Sequence, residues 1–187
     1  MAARLREHAT YEDLLKVPEN MIAELIEGEL FASPRPGMPH ADAVTELGSL
    51  LRTAFGRRGS ANWHIVFEPE LHLGRNVLVP DLAGWRTERV PVLPHTPSIS
   101  IEPDWVCEVL SHSTARIDRG MKLPIYAQYG VAHAWIVDVD QQYLEVKRLV
   151  DGRWSDVAVF TGAAKIRAEP FESIEIDTTL LWGAPAA

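Results

Sequence analysis

Asp104-Trp105-Val106-Cys107-Glu108-Val109-Leu110 is a short run of strand formers that carries one carboxylate near its end. Side chains alternate along a strand, so Val106, Glu108 and Leu110 share one face while Trp105, Cys107 and Val109 share the other. Glu108 therefore lies among apolar neighbours. A carboxylate buried there without a partner costs several kcal/mol, so its surroundings must supply a cation, strong donors or a proton. A metal ion is one such partner.

Outward from this strand, the chain alternates between sheet-like and helical stretches. On its N-terminal side, Thr10 reads as a helix N-cap, with Glu12 and Asp13 in the first turn and Pro18 as the stop. Glu24 to Phe31 reads as a turn or helix end that passes through Gly28 into a strand. A helix is expected from His40 to about Phe55, where Val44, Leu47, Leu50, Leu51 and Phe55 recur at helical spacing. Strands follow at 63–67, 71–73 and 77–85, the last two separated by Gly74-Arg75-Asn76, and together they suggest an antiparallel meander. The prolines between Thr87 and Pro103 mark a loop. On the C-terminal side, a helical segment runs to about Tyr129, interrupted or restarted at Pro124 and ended by Gly130. Strands at 134–137 and 143–149 and a further hairpin around Asp151-Gly152 complete the pattern. The stretch from Phe171 to Leu181 is apolar enough to dock, whereas Ala184 to Ala187 is expected to fray.

The whole reads as one domain, residues 1–187, of the mixed α/β (α+β) class. Its 187 residues, 47% hydrophobic and 24% charged, suffice for a full core without disulfides. The single cysteine, Cys107, reads as a buried thiol. Met1 to Lys16 is charged and lacks an apolar signal core, and no run reaches the roughly 20 apolar residues of a membrane span, so a cytoplasmic protein with no membrane partner is expected. A net charge of -8 and a pI near 5.3 argue against tight nonspecific nucleic-acid binding.

Four stretches carry candidate chemistry. Pro80-Asp81 ends an apolar strand, and if the Glu108 strand lies beside it, the two carboxylates can face one pocket and hold a hard divalent cation through oxygen. Lys122 can reach back from the following helical segment as a point charge beside a phosphate or an attacking water. Glu24 can add a third acidic ligand, and His40 can donate to a phosphate or move a proton. Each has a plainer reading: a Pro-Asp turn, a solvated glutamate, a lysine facing water, a capping histidine. His64 and His72 lack metal-ligand spacing and read as structural or exposed, and His112 reads as loop surface. Ser111 and Ser113 have no histidine and acid arranged to activate them. No glycine-rich phosphate cradle is present.

Taken together, Glu24-Leu25-Ile26-Glu27-Gly28-Glu29, His40, Val79-Pro80-Asp81, Glu108-Val109-Leu110-Ser111 with Ser113-Thr114, Asp118 with Lys122 and Tyr126, and Gly130-Val131 leading to Trp135-Ile136-Val137-Asp138 resemble the Uma family (Uma-two) of restriction-endonuclease-like proteins within the PD-(D/E)XK nuclease superfamily. The match covers roughly residues 10–150. It implies a restriction-endonuclease-like core with flanking helices, a C-terminal β-hairpin extension, Mg2+ or Mn2+ as cofactor, and phosphodiester hydrolysis in nucleic acid, DNA above all. It also implies Asp81, Glu108 and Val109 as metal ligands, and Asp81, Glu108, Lys122, Glu24 and His40 as the catalytic set. One position departs from the pattern. The superfamily's lysine, two residues after the acid, is replaced here by Leu110, and Lys122 is the natural substitute; replacing it by alanine is expected to stop cleavage and leave folding nearly intact. The resemblance, with apolar residues expected to be exposed around Trp154, Phe160 and Trp182, further implies a homodimer. Two other functions fit the same residues: a catalytically inactive binding or regulatory protein that kept the fold, and a metal-dependent hydrolase of a small phosphorylated substrate.

Overall fold

The computed structural model describes residues 2–57 and 59–183; the expected fraying of Ala184 to Ala187 falls outside the described residues. The elements in chain order are β1 (Ala3–Arg6), α1 (Tyr11–Leu14), β2 (Met21–Ile26), β3 (Glu29–Pro34), α2 (Met38–Phe55), β4 (Trp63–Phe67), β5 (Glu70–Leu73), β6 (Asn76–Leu78), β7 (Leu82–Arg86), β8 (Ser98–Ile99) and β9 (Trp105–Val109). Then come α3 (Ala115–Ile117), a π-helical turn (Asp118–Lys122), α4 (Leu123–Gln128), β10 (His133–Asp138), β11 (Tyr143–Val150), β12 (Arg153–Thr161), β13 (Lys165–Ile166), β14 (Ile176–Asp177) and α5 (Thr179–Trp182). They form two six-stranded mixed sheets, ordered β1-β3-β2-β6-β5-β8 and β12-β11-β10-β9-β7-β4, and a small β13-β14 ribbon.

Strand β9 lies inside the second sheet, parallel to β10 and antiparallel to β7. The alternation holds. Trp105, Cys107 and Val109 join the core under α2, where Trp105, Trp135 and Phe171 pack edge-on against one another. Val106 and Leu110 join a second core with Ile136, under Leu123, Ile125 and Tyr126 of α4. Phe171 and Leu181 are buried, as the apolar C-terminal stretch requires. Fully burying one such side chain contributes about 1.5–3 kcal/mol.

Three expectations change. The stretch 77–85 is not one strand: β6 belongs to the first sheet and β7 to the second, and Val79-Pro80-Asp81 bridges them. Pro80 has no N–H to give a ladder, so the pairing breaks there. Strand β4 pairs with β7 rather than β5, so the three stretches are divided between sheets instead of forming a meander. Glu24 lies on β2, not in a turn or helix end; the turn is Glu27-Gly28, both at positive φ, which closes β2 onto β3 as a two-residue hairpin with Ile26 opposite Glu29.

The helical segment after β9 is interrupted just ahead of Pro124, as expected. It passes from α3 through the π-helical turn into α4, where Pro124 sits in the first turn and needs no partner for its missing N–H. Trp154, Phe160 and Trp182 are not free surface. Each is partly buried against this chain's own cores, and the Trp154 and Trp182 indoles donate to Leu123 O and Gly162 O. No helix among the described residues is long and apolar enough to cross a membrane.

Candidate active site

The first turn of α2, the bridge between the sheets, the end of β9 and the π-helical turn meet around a cavity of about 120 Å3. Glu24, His40, Asp81, Glu108, Asp118 and Lys122 all line it. The bridge is held by the site itself. Val79 belongs to no strand, and its N–H donates to Glu24 Oε1 at 2.8 Å while its carbonyl accepts from Lys122 Nζ at 3.2 Å. Two orphan backbone groups are thus satisfied by two candidate side chains.

Lys122 is the centre of this geometry. Its ammonium lies 2.9 Å from Glu108 Oε1, 3.0 Å from Glu24 Oε1 and 3.4 Å from Asp118 Oδ1, with its side chain only 3% exposed. A π-helical turn carries Asp118 and Lys122, four residues apart, to the same side. Arg119, between them, forks onto Glu145 at 2.6 and 3.0 Å and donates to the Tyr143 hydroxyl at 2.8 Å. Glu108, Ile136 and Glu145 face one another across β9, β10 and β11, so Lys122 and Arg119 grip the two ends of a single cross-strand row.

Asp81 stands in a second group. Its Oδ2 accepts from the Val109 N–H at 2.7 Å, and its Oδ1 lies 3.3 Å from His40 Nε2. Lys122 makes no ion pair within 4.0 Å of Asp81, so of the two proposed metal-binding carboxylates the ammonium touches Glu108 alone. Among the described residues, no three His, Cys, Asp or Glu side chains are grouped as a ready-made metal cage.

The electrostatics follow from enclosure. Burial pushes Glu108 well above the ordinary carboxylate range against the opposing pull of Lys122, and it pushes Asp118 up to about 6. For Lys122, burial works against the charged form, yet Glu108, Glu24 and Asp118 outweigh it and hold the ammonium protonated. His40 is raised too: burial opposes its charge, but the bond to Asp81 prevails. Three carboxylates contact the one ammonium, and the fourth, Asp81, faces His40. Both protein donors to Glu108, Lys122 and the Tyr126 hydroxyl at 2.6 Å, meet Oε1 and not Oε2. Glu108 Oε2, the Asp81 carboxylate and the Val109 carbonyl are hard oxygens of the kind a small divalent cation binds; Asp81 and Glu108 line the cavity, and Val109 is not among its lining residues.

The candidate residues Asp81, Glu108, Lys122, Glu24 and His40 therefore line one cavity, although Lys122 and Asp81 do not touch. Three carboxylates contact the buried ammonium, so replacing Lys122 by alanine is expected to cost stability as well as cleavage. Asp118 and Tyr126, which the sequence offered as motif residues without a role, complete the cluster; the four-residue spacings 118–122–126 were the available signal. His64 bonds the Val90 carbonyl and His72 the Glu70 carboxylate, as structural residues do, and His112 is exposed.

Comparison with known proteins adds a family. Residues 9–179 match the family Uma2, described as "putative restriction endonuclease". A solved structure of a "putative nuclease belonging to DUF820" from Anabaena variabilis shares the fold, with a TM-score of 0.74 at 23% identity over 93% of this chain and 97% of that one. No curated protein matches.

Proposed function

Because this chain belongs to the Uma2 family, we propose that it is a metal-dependent endonuclease that hydrolyses phosphodiester bonds in DNA. The observation that supports this best is the placement of Lys122: the lysine missing at Leu110 is replaced by an ammonium 2.9 Å from Glu108, delivered from the following helical segment. Asp81, Glu108 and the Val109 carbonyl would hold Mg2+ or Mn2+, which when bound polarises the phosphate and lowers the pKa of a coordinated water. Lys122 faces the same cavity and offsets negative charge that develops on the phosphate. His40, whose charged form is favoured by the contact with Asp81, donates to a phosphate oxygen or passes a proton in the cavity. Glu24 holds the bridge and the ammonium in place through Val79 and Lys122.

Cleavage of supercoiled plasmid with Mg2+ or Mn2+, followed beside calorimetric metal titration, tests this reading. Asp81→Asn and Glu108→Gln should each abolish cleavage and weaken metal binding. Parent-like metal binding in both variants would rule the site out, and a parent that binds metal without cleaving would favour an inactive binding protein. We also propose a homodimer. With Trp154, Phe160 and Trp182 packed inward, one available face is the open edge of β12, where Val157 and Val159 are exposed.

A further inference from the structure

Resting on the nuclease reading, we infer that a single nucleic-acid strand lies along the groove between α2 and β4, with its phosphates on Arg52 and Arg57 and a base against Phe67. This protein is acidic overall, and most of its cations are neutralised by neighbouring carboxylates. Arg52 and Arg57 are exceptions. Neither has an ion pair among the described residues, and both line a groove of about 680 Å3 with Ser49, Thr53 and His64. No aspartate or glutamate is among the described residues lining it, nor among those lining an adjoining cavity of about 250 Å3 that contains Phe67 and Leu82. In a chain with 26 acidic residues, an acid-free groove with two uncompensated arginines is complementary to a polyanion.

Helix α2 spans both the candidate site and the groove. Helix α2 begins at the cavity, where His40 lies, and Arg52 is twelve residues on, about 18 Å along the axis at 1.5 Å per residue. Between them stand Phe67, 55% exposed, and its cross-strand neighbour Leu82, which follows Asp81 directly. An exposed aromatic beside arginines is how proteins hold unpaired strands, by stacking and backbone charge. Arg52 also donates to Ile65 O at 3.1 Å, capping a carbonyl on the open edge of β4, so the edge is blunted against another protein strand while the guanidinium stays at the groove.

The test is fluorescence anisotropy on the full chain in EDTA, with a labelled single-stranded oligonucleotide, a duplex of the same length, and a salt series. The parent should bind the single strand more tightly than the duplex. Arg57→Glu, an exposed site with no ion pair among the described residues, should weaken single-strand binding on the order of tenfold and flatten the log-log salt slope by about 0.7. Arg52→Gln and Phe67→Ala should also weaken it. Arg153→Glu, remote on β12, should leave it unchanged. Parent-like binding by Arg57→Glu, an equal loss in Arg153→Glu, no single-strand binding by the parent, or a preference for duplex would each overturn the inference. Because no cleavage occurs in EDTA, an inactive protein whose binding depends on Arg57 would sink the nuclease reading and keep the groove. An active nuclease indifferent to Arg57 would do the reverse.

Discussion

Lys122→Ala should unfold this protein more easily, and in a pH-dependent way. The parent ammonium is 3% exposed and lies within 3.4 Å of Glu108, Glu24 and Asp118. Alanine leaves three enclosed carboxylates without their cation. Breaking a buried ion pair by removing one partner costs about 3–5 kcal/mol, and a chain of this size loses roughly 2–4 °C of melting temperature per kcal/mol. In EDTA near pH 8 the variant should therefore melt about 6–20 °C below the parent. The sign of the pH effect follows from proton binding. Glu108 and Asp118 are raised by burial, Asp118 to about 6, so the folded state holds their protons more tightly than the unfolded chain does. That stabilisation is complete below the ordinary carboxylate value and is lost as pH rises through the folded value. Without the ammonium the folded values rise further, so the defect should be large near pH 8 and shrink toward pH 5. Magnesium or manganese should restore part of the loss near pH 8, because the same oxygens would receive the ion. Thermal unfolding followed by circular dichroism at both pH values, with and without metal, measures all of this. A variant that melts with the parent near pH 8, or whose defect is equal at both pH values, would show that the ammonium does not neutralise this cluster.

Asp118→Asn should act in the opposite direction: the rise from 3.8 to about 6 corresponds to about 3 kcal/mol against the ionised form at neutral pH. Urea unfolding in EDTA should show a gain of up to that size near pH 7 that vanishes below about pH 4, and a destabilised variant would contradict it. Arg119→Ala releases the fork on Glu145 that fixes the π-helical turn, so plasmid cleavage should fall by about tenfold while metal affinity holds; Arg119→Lys should recover little, because an ammonium cannot form the fork. Val159→Glu should convert a dimer to monomer in light scattering, since Val159 is 57% exposed on the sheet edge. A parent that is monomeric at every concentration removes the dimer.

Some of this was fixed by local patterns. The alternation in 104–110 put Glu108 on a core face before any partner was known, and the helical spacing of Val44, Leu47, Leu51 and Phe55 placed α2 within two residues of its observed start. Periodicity reports which side of an element is buried, and it is a property of neighbouring residues alone. What periodicity cannot report is which elements meet. Pro80 could be read as a turn or a strand end, and only the assembled sheets make it a bridge whose free N–H and carbonyl at Val79 are taken by Glu24 and Lys122. The same holds for Lys122. Its charge and position after β9 were visible, but a lysine is drawn into the interior only when Glu24 and Glu108, from two distant strands, converge on it beside Asp118 of its own turn. Those contacts span up to 98 residues of sequence, from Glu24 to Lys122, and exist only once both sheets have closed around them.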